Sequence, residues 1–230
     1  AVGRSGWGIE DEYWLAVGMR GGGKALPNVG ALAAYERFGV RLIASTENAL
    51  DARENCADGY STVTISHQGL GMLPCPAGEV TGRWQGDGVE ILAVRMATAN
   101  QEWCRAFCWL PGEYLLVVDR VSGAGQDRLS GMAHWRCARP MQVVAGRAWS
   151  VQTSAEGIES SFFVETDSPL GWAYETRPQG TPGDELAVEA HDLPALHARL
   201  SPNEGGTLEV ATLIHAVAGK TEPAYRLQRT

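Results

Sequence analysis

The chain has 230 residues, with 19 Lys or Arg against 27 Asp or Glu, which gives a formal net charge of -8 at pH 7. This acidity and the lack of any basic run argue against a nucleic-acid or anionic-membrane partner. No apolar run approaches the roughly 18 residues of a membrane span, and no basic-then-apolar leader opens the chain. The sequence therefore predicts a soluble protein whose residues 1–230 form a single domain.

Thirteen strand-like runs, rich in Val, Ile, Leu and aromatic residues, follow one another between stretches of Gly, Pro, Asp and Asn. Together with 28 glycines, they predict an all-β fold, a large antiparallel β-sandwich with few or no helices. In chain order the runs span residues 13–19, 31–45, 60–66, 88–99, 102–110, 113–122, 130–138, 142–146, 148–154, 160–166, 170–176, 185–191 and 207–219.

Two of these runs carry further local signals. The sequence "LPGEY" at residues 110–114 predicts a hairpin turn, because Pro presets the first turn position and Gly tolerates the second. The segment "ALAAYERFG" at residues 31–39 has an ambiguous pattern that also suits a helix. A loop with two prolines and two glycines follows at residues 177–185. We find no internal repeat and no low-complexity tract.

The cysteines are odd in number and contain no C-x-x-C pair. Cys104 and Cys108 lie four residues apart on one face of a strand-like run that also contains Trp103 and Trp109. We predict buried free thiols, since free cysteine behaves as a small hydrophobe. A periplasmic or secreted location with one or two disulfides is the alternative. The five are Cys56, Cys75, Cys104, Cys108 and Cys137.

The histidines are scattered, and none has the spacing of a metal motif. We predict a hydrogen-bonded core or edge position for His215 and a structural role for His134, which adjoins Trp135 and Arg136. No nucleophile elbow, phosphate-binding loop or dinucleotide fingerprint is present. The sequence therefore predicts neither a cofactor nor a metal site, for which three or four converging ligands are needed.

Two segments of the chain resemble the carboxy-terminal β-sandwich of heparinase II/III-like polysaccharide lyases. The first is "GRSGWGIEDEYWLAVGMRGGGKALPNVGALAAYERFGVRLIAS", with an Arg-Ser-Gly-Trp start, an aromatic strand and a glycine hinge. The second is "EWCRAFCWLPGEYLLVVDRVSGAGQDRLSGMAHW", in which an arginine-containing strand turns into a "DRV" strand. The resemblance covers roughly residues 3 to 150.

This resemblance implies β-elimination on polysaccharides that contain uronic acid. Such a reaction needs a base, an acid and a group that neutralises the carboxylate. The family places His-x-His-x-Asp after the hinge, where this chain has Lys24, Leu26 and Asn28. Ser45 stands at a family aspartate, and Tyr60 opens the stretch where the family has His-Asn-Thr-Val. The resemblance thus implies an incomplete catalytic set and no zinc site.

Other side chains are candidates for the chemistry. Lysine can neutralise a uronate and tyrosine can act as acid or base, so the catalytic candidates are Lys24, Tyr13 and Tyr60. The substrate-binding candidates are Arg20, Lys24, Asn28 and Trp84. Solvated surface or strand packing is the alternative role for each.

The resemblance also implies a partner. Family members carry a helical toroid before the sandwich, and the cleft lies between the two. The chain begins at Ala1 rather than methionine, so we expect a processed product, a fragment, or a separate chain of a larger protein with such a helical domain.

Two further hypotheses give the chain no catalytic role. One is a carbohydrate-binding module, because exposed aromatic rings stack on sugars. The other is a structural module that completes another domain's core. For the first, the tryptophans considered, with core packing as the alternative, are Trp84, Trp103, Trp109, Trp149 and Trp172.

Overall fold

The computed structural model describes residues 1–16, 30–44, 61–67, 70–72, 78–97, 101–123, 129–173, 195–202, 206–220 and 225–227. All secondary-structure elements in these ranges are β-strands, and all strand pairings are antiparallel. This confirms the predicted all-β class. The strands are β1 (Val2–Arg4), β2 (Tyr13–Ala16), β3 (Leu32–Arg37), β4 (Val40–Ala44), β5 (Val63–His67), β6 (Leu70–Met72), β7 (Gly78–Gly86), β8 (Val89–Ala97), β9 (Gln101–Leu110), β10 (Tyr114–Gly123), β11 (Leu129–Arg136), β12 (Gln142–Val144), β13 (Arg147–Thr153), β14 (Glu159–Thr166), β15 (Leu170–Ala173), β16 (Ala195–Arg199), β17 (Ser201–Pro202) and β18 (Leu208–Ala218).

Nine of the strands form one large sheet. Its order is β12-β13-β14-β18-β10-β9-β8-β7, and β17 pairs with β18 beside this path. The long strands β9 and β10 meet at a tight turn, where the Glu113 N–H donates to the Leu110 carbonyl at 3.0 Å. Gly112 has a φ of 77° in this turn, a value that glycine adopts without strain. The hairpin predicted at residues 110–114 is confirmed.

The second layer consists of two smaller sheets. One is four-stranded, with the order β1-β2-β3-β4, and the other is five-stranded, with the order β15-β16-β11-β5-β6. Two isolated bridges join them, one between Leu32 and Ser61 and one between Ile43 and Cys137. We call these four residues, with their immediate chain neighbours, the junction.

The core lies between the large sheet and the second layer. From Glu102 onward, strand β9 alternates between half-buried and buried positions, as expected for a strand with one face in the core. Its Phe107 and Trp109 belong to the same apolar cluster as Trp14 of the four-stranded sheet and Trp135 of the five-stranded sheet. Trp14 stacks on Phe107 with ring centroids 5.3 Å apart. Burying each such ring contributes ~1.5–3 kcal/mol, so these contacts hold the predicted sandwich together.

One local expectation needs correction, and five strands, β1, β6, β7, β16 and β17, lie outside the predicted runs. The ambiguous run after residue 30 is neither a helix nor one strand but the hairpin β3–β4, since Phe38 and Gly39 both adopt positive φ, 54° and 69°. Strand β7 was missed because its glycines weaken the strand pattern. The signal that could have found it is Asp87-Gly88, whose positive φ values of 53° and 79° fit the two-residue hairpin turn that this dipeptide favours.

Within the part of the chain that the structure describes, no helix has the length and apolar character needed to cross a membrane.

Candidate functional site

A buried arginine on the large sheet reaches the junction. Arg105 on β9 is fully buried, and its Nε and Nη2 donate to the two carboxylate oxygens of Asp119 at 2.7 and 2.9 Å. The Trp103 indole N–H also donates to Asp119, at 2.8 Å. A bidentate pair with further hydrogen bonds is the arrangement in which a buried charge is tolerated. The β9–β10 register places the two residues directly opposite each other.

The same guanidinium ties together two chain segments. Arg105 Nη1 donates to the Gly30 carbonyl at 3.0 Å and to the Ser61 carbonyl at 2.8 Å. Gly30 and Ser61 end the two segments, 17–29 and 45–60, that contain four of the candidate residues. The ends of both segments therefore converge on one nitrogen atom at the junction. Those candidates, Arg20, Lys24, Asn28 and Tyr60, lie outside the described residues, as do Leu26 and Ser45.

Two imidazoles lie side by side on the outer face of the five-stranded sheet. His134 of β11 and His197 of β16 are directly opposite in the register. His134 Nδ1 lies 3.1 Å from His197 Nε2, and the rings meet edge to face at 4.4 Å. On its other side, His134 Nε2 lies 2.6 Å from the Thr64 hydroxyl. Each neutral ring can donate from one nitrogen and accept at the other, so these three side chains form a continuous hydrogen-bonded chain.

The environment keeps His134 neutral. Its pKa falls from 6.5 to about 3, first because burial penalises the imidazolium and then because His197, Arg136 and Arg105 add positive potential. Two residues along the strand, Arg136 shares the outer face with His134, while Trp135 points into the core. His134 therefore acts as a hydrogen-bonding group rather than as a cation.

The sheet neighbour of His197 on β15 is a glycine. Gly171 is directly opposite His197 in the register, and a Cβ at this glycine would meet no atom of the described residues within 4 Å. His197 itself is half-buried.

The sequence analysis did not predict this pair of histidines. Residues 134 and 197 are 63 positions apart, and only the pairing of β11 with β16 brings them together. Among the described residues, no three His, Cys, Asp or Glu side chains cluster in a way that could hold a metal ion. The arrangement offers hydrogen bonds and positive potential to an anionic ligand.

The remaining candidates lie apart. Tyr13 on β2 is half-buried on the outer face of the four-stranded sheet, with the Arg4 guanidinium 5.0 Å from its ring centre. Trp84 is 49% exposed on β7, the edge strand of the large sheet. The structure therefore puts Tyr13 in the layer that contains the junction and Trp84 in the opposite layer.

The other tryptophans considered as sugar platforms fall into different environments. Trp103 and Trp109 are buried core residues, so the core alternative holds for both. Trp149 is half-buried on β13. The side chain of Trp172 lies outside the described part of the structure.

His215 and the cysteines differ from expectation in detail. His215 is fully buried on β18, but among the described residues neither ring nitrogen has a hydrogen-bond partner. Cys137 is buried, whereas Cys104 and Cys108 are only half-buried, and all three are free thiols. The prediction of buried thiols is wrong for the latter two, because they lie on the outer face of β9. Cys56 and Cys75 lie outside the described residues.

Comparisons with known proteins identify the fold. No family model and no curated protein matches the chain. A solved heparinase III superposes with a TM-score of 0.65 at 13% identity, over 94% of this chain and 34% of that protein. The heparan sulfate lyase HepC from Pedobacter heparinus gives 0.65 at 15% identity, over 96% of this chain and 36% of the lyase.

The chain thus spans about a third of the length of these two lyases. At this level of identity the match shows a shared fold. It confirms the resemblance inferred from the sequence, and the likeness extends beyond residue 150 to almost the whole chain.

Proposed function

We propose that this chain is the β-sandwich module of a heparinase II/III-like polysaccharide lyase and contributes one wall of a cleft for polysaccharides that contain uronic acid. The observation that carries the proposal is the heparinase III-like fold over nearly the entire chain. In this proposal residues 1–230 act as one sandwich domain, which works together with a helical toroid in the same protein or in a separate chain.

The binding surface is the outer face of the second layer around the junction. Gly30 and Ser61, which follow segments 17–29 and 45–60 in the chain, lie at the junction, and the proposal assigns Arg20, Lys24, Asn28 and Tyr60 of those segments to this surface. Arginine and lysine neutralise uronate carboxylates, and amide and hydroxyl groups bond to sugar hydroxyls. This arrangement supports recognition of an acidic glycan.

The proposed module lacks a full catalytic set of its own. In β-elimination a base removes the proton next to the carboxylate while an acid protonates the leaving oxygen. Lys24, Leu26, Asn28, Ser45 and Tyr60 stand where the family has imidazoles and aspartates. The complete reaction therefore requires groups from the helical partner, with Lys24, Tyr13 or Tyr60 as this chain's contribution.

Binding and product release by the isolated chain test this proposal. We expect the chain to bind heparan sulfate or alginate in affinity electrophoresis but to release no unsaturated product, measured by ultraviolet absorbance, with or without a chelator. Lys24→Ala should weaken binding. Lys220→Ala is the matched control, because Lys220 lies beside Glu159 on the large sheet, 3.3 Å away.

Each other outcome has a distinct meaning. Unsaturated product from this chain alone would show that its catalytic set is complete. No binding to any uronate polymer would contradict the lyase-module proposal. Binding that is unchanged by Lys24→Ala would remove the hinge lysine from the site.

A non-catalytic carbohydrate-binding module is the second candidate. Trp84 favours it, because a ring that is 49% exposed on a sheet edge can stack on a sugar face. In that case Trp84→Ala abolishes binding on a glycan array while Lys24→Ala does not. The lyase-module proposal gives the reverse result.

A further inference from the structure

We infer that Trp7, Arg4 and Tyr13 form a second subsite, which binds one acidic sugar residue of the polysaccharide on the four-stranded sheet. This subsite rests on the proposed function for its ligand class. It is distinct from the junction in position and in residues. Tyr13 was a candidate only for catalysis, and neither Arg4 nor Trp7 was among the candidates from the sequence.

The subsite is built around an exposed indole. Trp7 is 88% exposed, the highest value among the large hydrophobic side chains of the described residues. The Arg4 guanidinium stacks on it, 3.9 Å from the ring centre, and lies 5.0 Å from the Tyr13 ring centre. Cation–π contacts of this kind hold a guanidinium over a ring face at exposed sites. The planar donor group of Arg4 thus lies against one face of a largely exposed indole.

The loop that presents Trp7 is held in one conformation. Ser5 exchanges bonds with Glu12, whose N–H donates to the Ser5 hydroxyl at 2.7 Å while the Ser5 N–H donates to the Glu12 carbonyl at 3.0 Å. The Gly8 N–H donates to the Asp11 carboxylate at 2.6 Å. A Cβ at Gly6 would lie 2.3 Å from the same carboxylate, so a larger residue there would displace the Asp11 side chain. An ordered loop exposes the tryptophan without paying the ordering entropy at the time of binding.

The loop is also anchored to the large sheet. Glu12 is fully buried, and its Oε2 accepts from the Trp109 indole and from the Gly112 N–H, both at 2.8 Å. Gly112 belongs to the β9–β10 turn. The Trp7 loop is therefore fixed to both layers of the sandwich, as a binding platform on a rigid scaffold should be.

The surroundings favour a sugar over a protein partner. Arg4, Tyr13, Glu36 and Arg41 follow one another across the outer face of the four-stranded sheet in the strand register. Cores of protein interfaces are depleted in charged residues, whereas this row is mostly charged and flanks a single exposed indole. An aromatic ring with a neighbouring guanidinium suits the apolar face and the carboxylate of one uronate residue.

The acidic residues of the loop affect how tightly the subsite binds an acidic sugar. The Asp11 carboxylate accepts hydrogen bonds from Ser5 and Gly8 inside the loop, and the Glu12 carboxylate accepts from Trp109 and Gly112 of the large sheet. Glu10 is exposed, so its negative charge repels an acidic sugar bound at the subsite. Dissolved salt screens this repulsion. Replacing Glu10 with glutamine should therefore strengthen binding of an acidic sugar but leave a neutral sugar unaffected.

Calorimetric titration of the whole chain with alginate oligosaccharides tests the subsite, and dextran is the neutral probe. We expect Trp7→Ala to weaken alginate binding about tenfold or more, as loss of a central aromatic contact does. Arg4→Gln should weaken alginate binding, with Arg4→Lys in between because it keeps the charge but loses the planar donors. Glu10→Gln should strengthen it about twofold, an effect that added salt reduces.

The matched control is Val144→Ala, which shortens an exposed apolar side chain on β12 of the opposite layer and should leave alginate affinity unchanged. Unchanged urea midpoints of the variants show that each remains folded. Alginate binding that survives Trp7→Ala overturns the subsite while the proposed function stands. Binding of dextran as tight as alginate overturns the acidic ligand class. A wild-type chain that binds no uronate polymer contradicts the proposed function and removes the subsite's ligand with it.

Discussion

Two polar clusters of this sandwich are equally buried but differently satisfied. Between the layers, Arg105 and Asp119 form a bidentate pair whose remaining donor bonds two carbonyls. On the outer face of the large sheet, His215 stacks on Phe163 at 5.0 Å and lies 3.9 Å from Glu165, and neither imidazole nitrogen finds a hydrogen-bond partner among the described residues. The polar atoms of the first cluster are thus hydrogen-bonded, whereas those of His215 are not.

The difference follows from what each cluster connects. Arg105 bonds to three separate chain segments, so only one arrangement of the layers satisfies it. Glu165 is approached by Arg147 at 3.2 Å and by Arg226 at 3.5 Å, and each is a long side chain that can adjust. Burial alone therefore does not make a polar cluster structurally decisive. The number of well-aligned hydrogen bonds does.

The largest effect should come from breaking the pair between the layers. Asp119→Ala leaves the Arg105 charge buried without its carboxylate, which we expect to lower the free energy of unfolding by ~3–5 kcal/mol. Urea denaturation followed by tryptophan fluorescence measures this. A loss below about 1 kcal/mol would mean that water reaches Arg105 and that the pair does not hold the junction.

The cluster around His215 should make the stability of the fold depend on pH. Burial, followed by Arg147, Arg226 and Arg37, lowers the His215 pKa from 6.5 to about 4. Between these values the unfolded chain binds the proton and the folded chain does not, so stability falls as the pH falls from about 6.5 to about 4. One such group accounts for on the order of 3 kcal/mol.

His215→Phe removes this proton and keeps a ring against Phe163. We expect its free energy of unfolding, measured in urea across that pH range, to decrease less steeply than that of the wild type. The lowered pKa of His134 leaves some slope in the variant. Parallel curves for the two proteins would contradict the assignment.

An intermediate effect should come from the histidine pair. Thr64→Val keeps the shape of the side chain but leaves the buried Nε2 of His134 without its hydroxyl partner, at an expected cost of ~1–3 kcal/mol. Thr81→Val is the control, since its hydroxyl makes only a long exposed bond to Ala93, at 3.4 Å. Equal losses of unfolding free energy in the two variants would show that the Thr64–His134 contact does not stabilise the fold.

The smallest effect should come from an exposed pair next to the central one. Arg120 follows Asp119 on β10 and bonds to Glu209 at 2.5 Å, with the arginine side chain 59% exposed. Arg120→Ala should cost only ~0–1 kcal/mol, because solvent screens such pairs. A loss that matches Asp119→Ala would show that burial is not what separates the two sites.

Much of the fold was predictable because its signals are local. The hairpin at residues 110–114 follows from Pro and Gly in one turn, and counting outward from that turn would have paired Arg105 with Asp119. The β3–β4 hairpin was harder to predict, since its turn uses Phe38 at a positive φ that aromatic residues rarely adopt. The exposure of Trp7 was not foreseen, because no strand pattern covers a loop held by its own side chains.

The sequence by itself determined the all-β class, most of the strands, the central hairpin and the resemblance to lyase sandwiches, because turn residues and alternation act over a few neighbouring positions. Only the tertiary structure decided which distant strands pair. It placed His134 beside His197, brought Gly30 and Ser61 to one guanidinium, and set Trp84 and Tyr13 in opposite layers. These placements depend on sheet register and layer packing. Both result from many weak contacts between distant residues, so no short stretch of sequence predicts them.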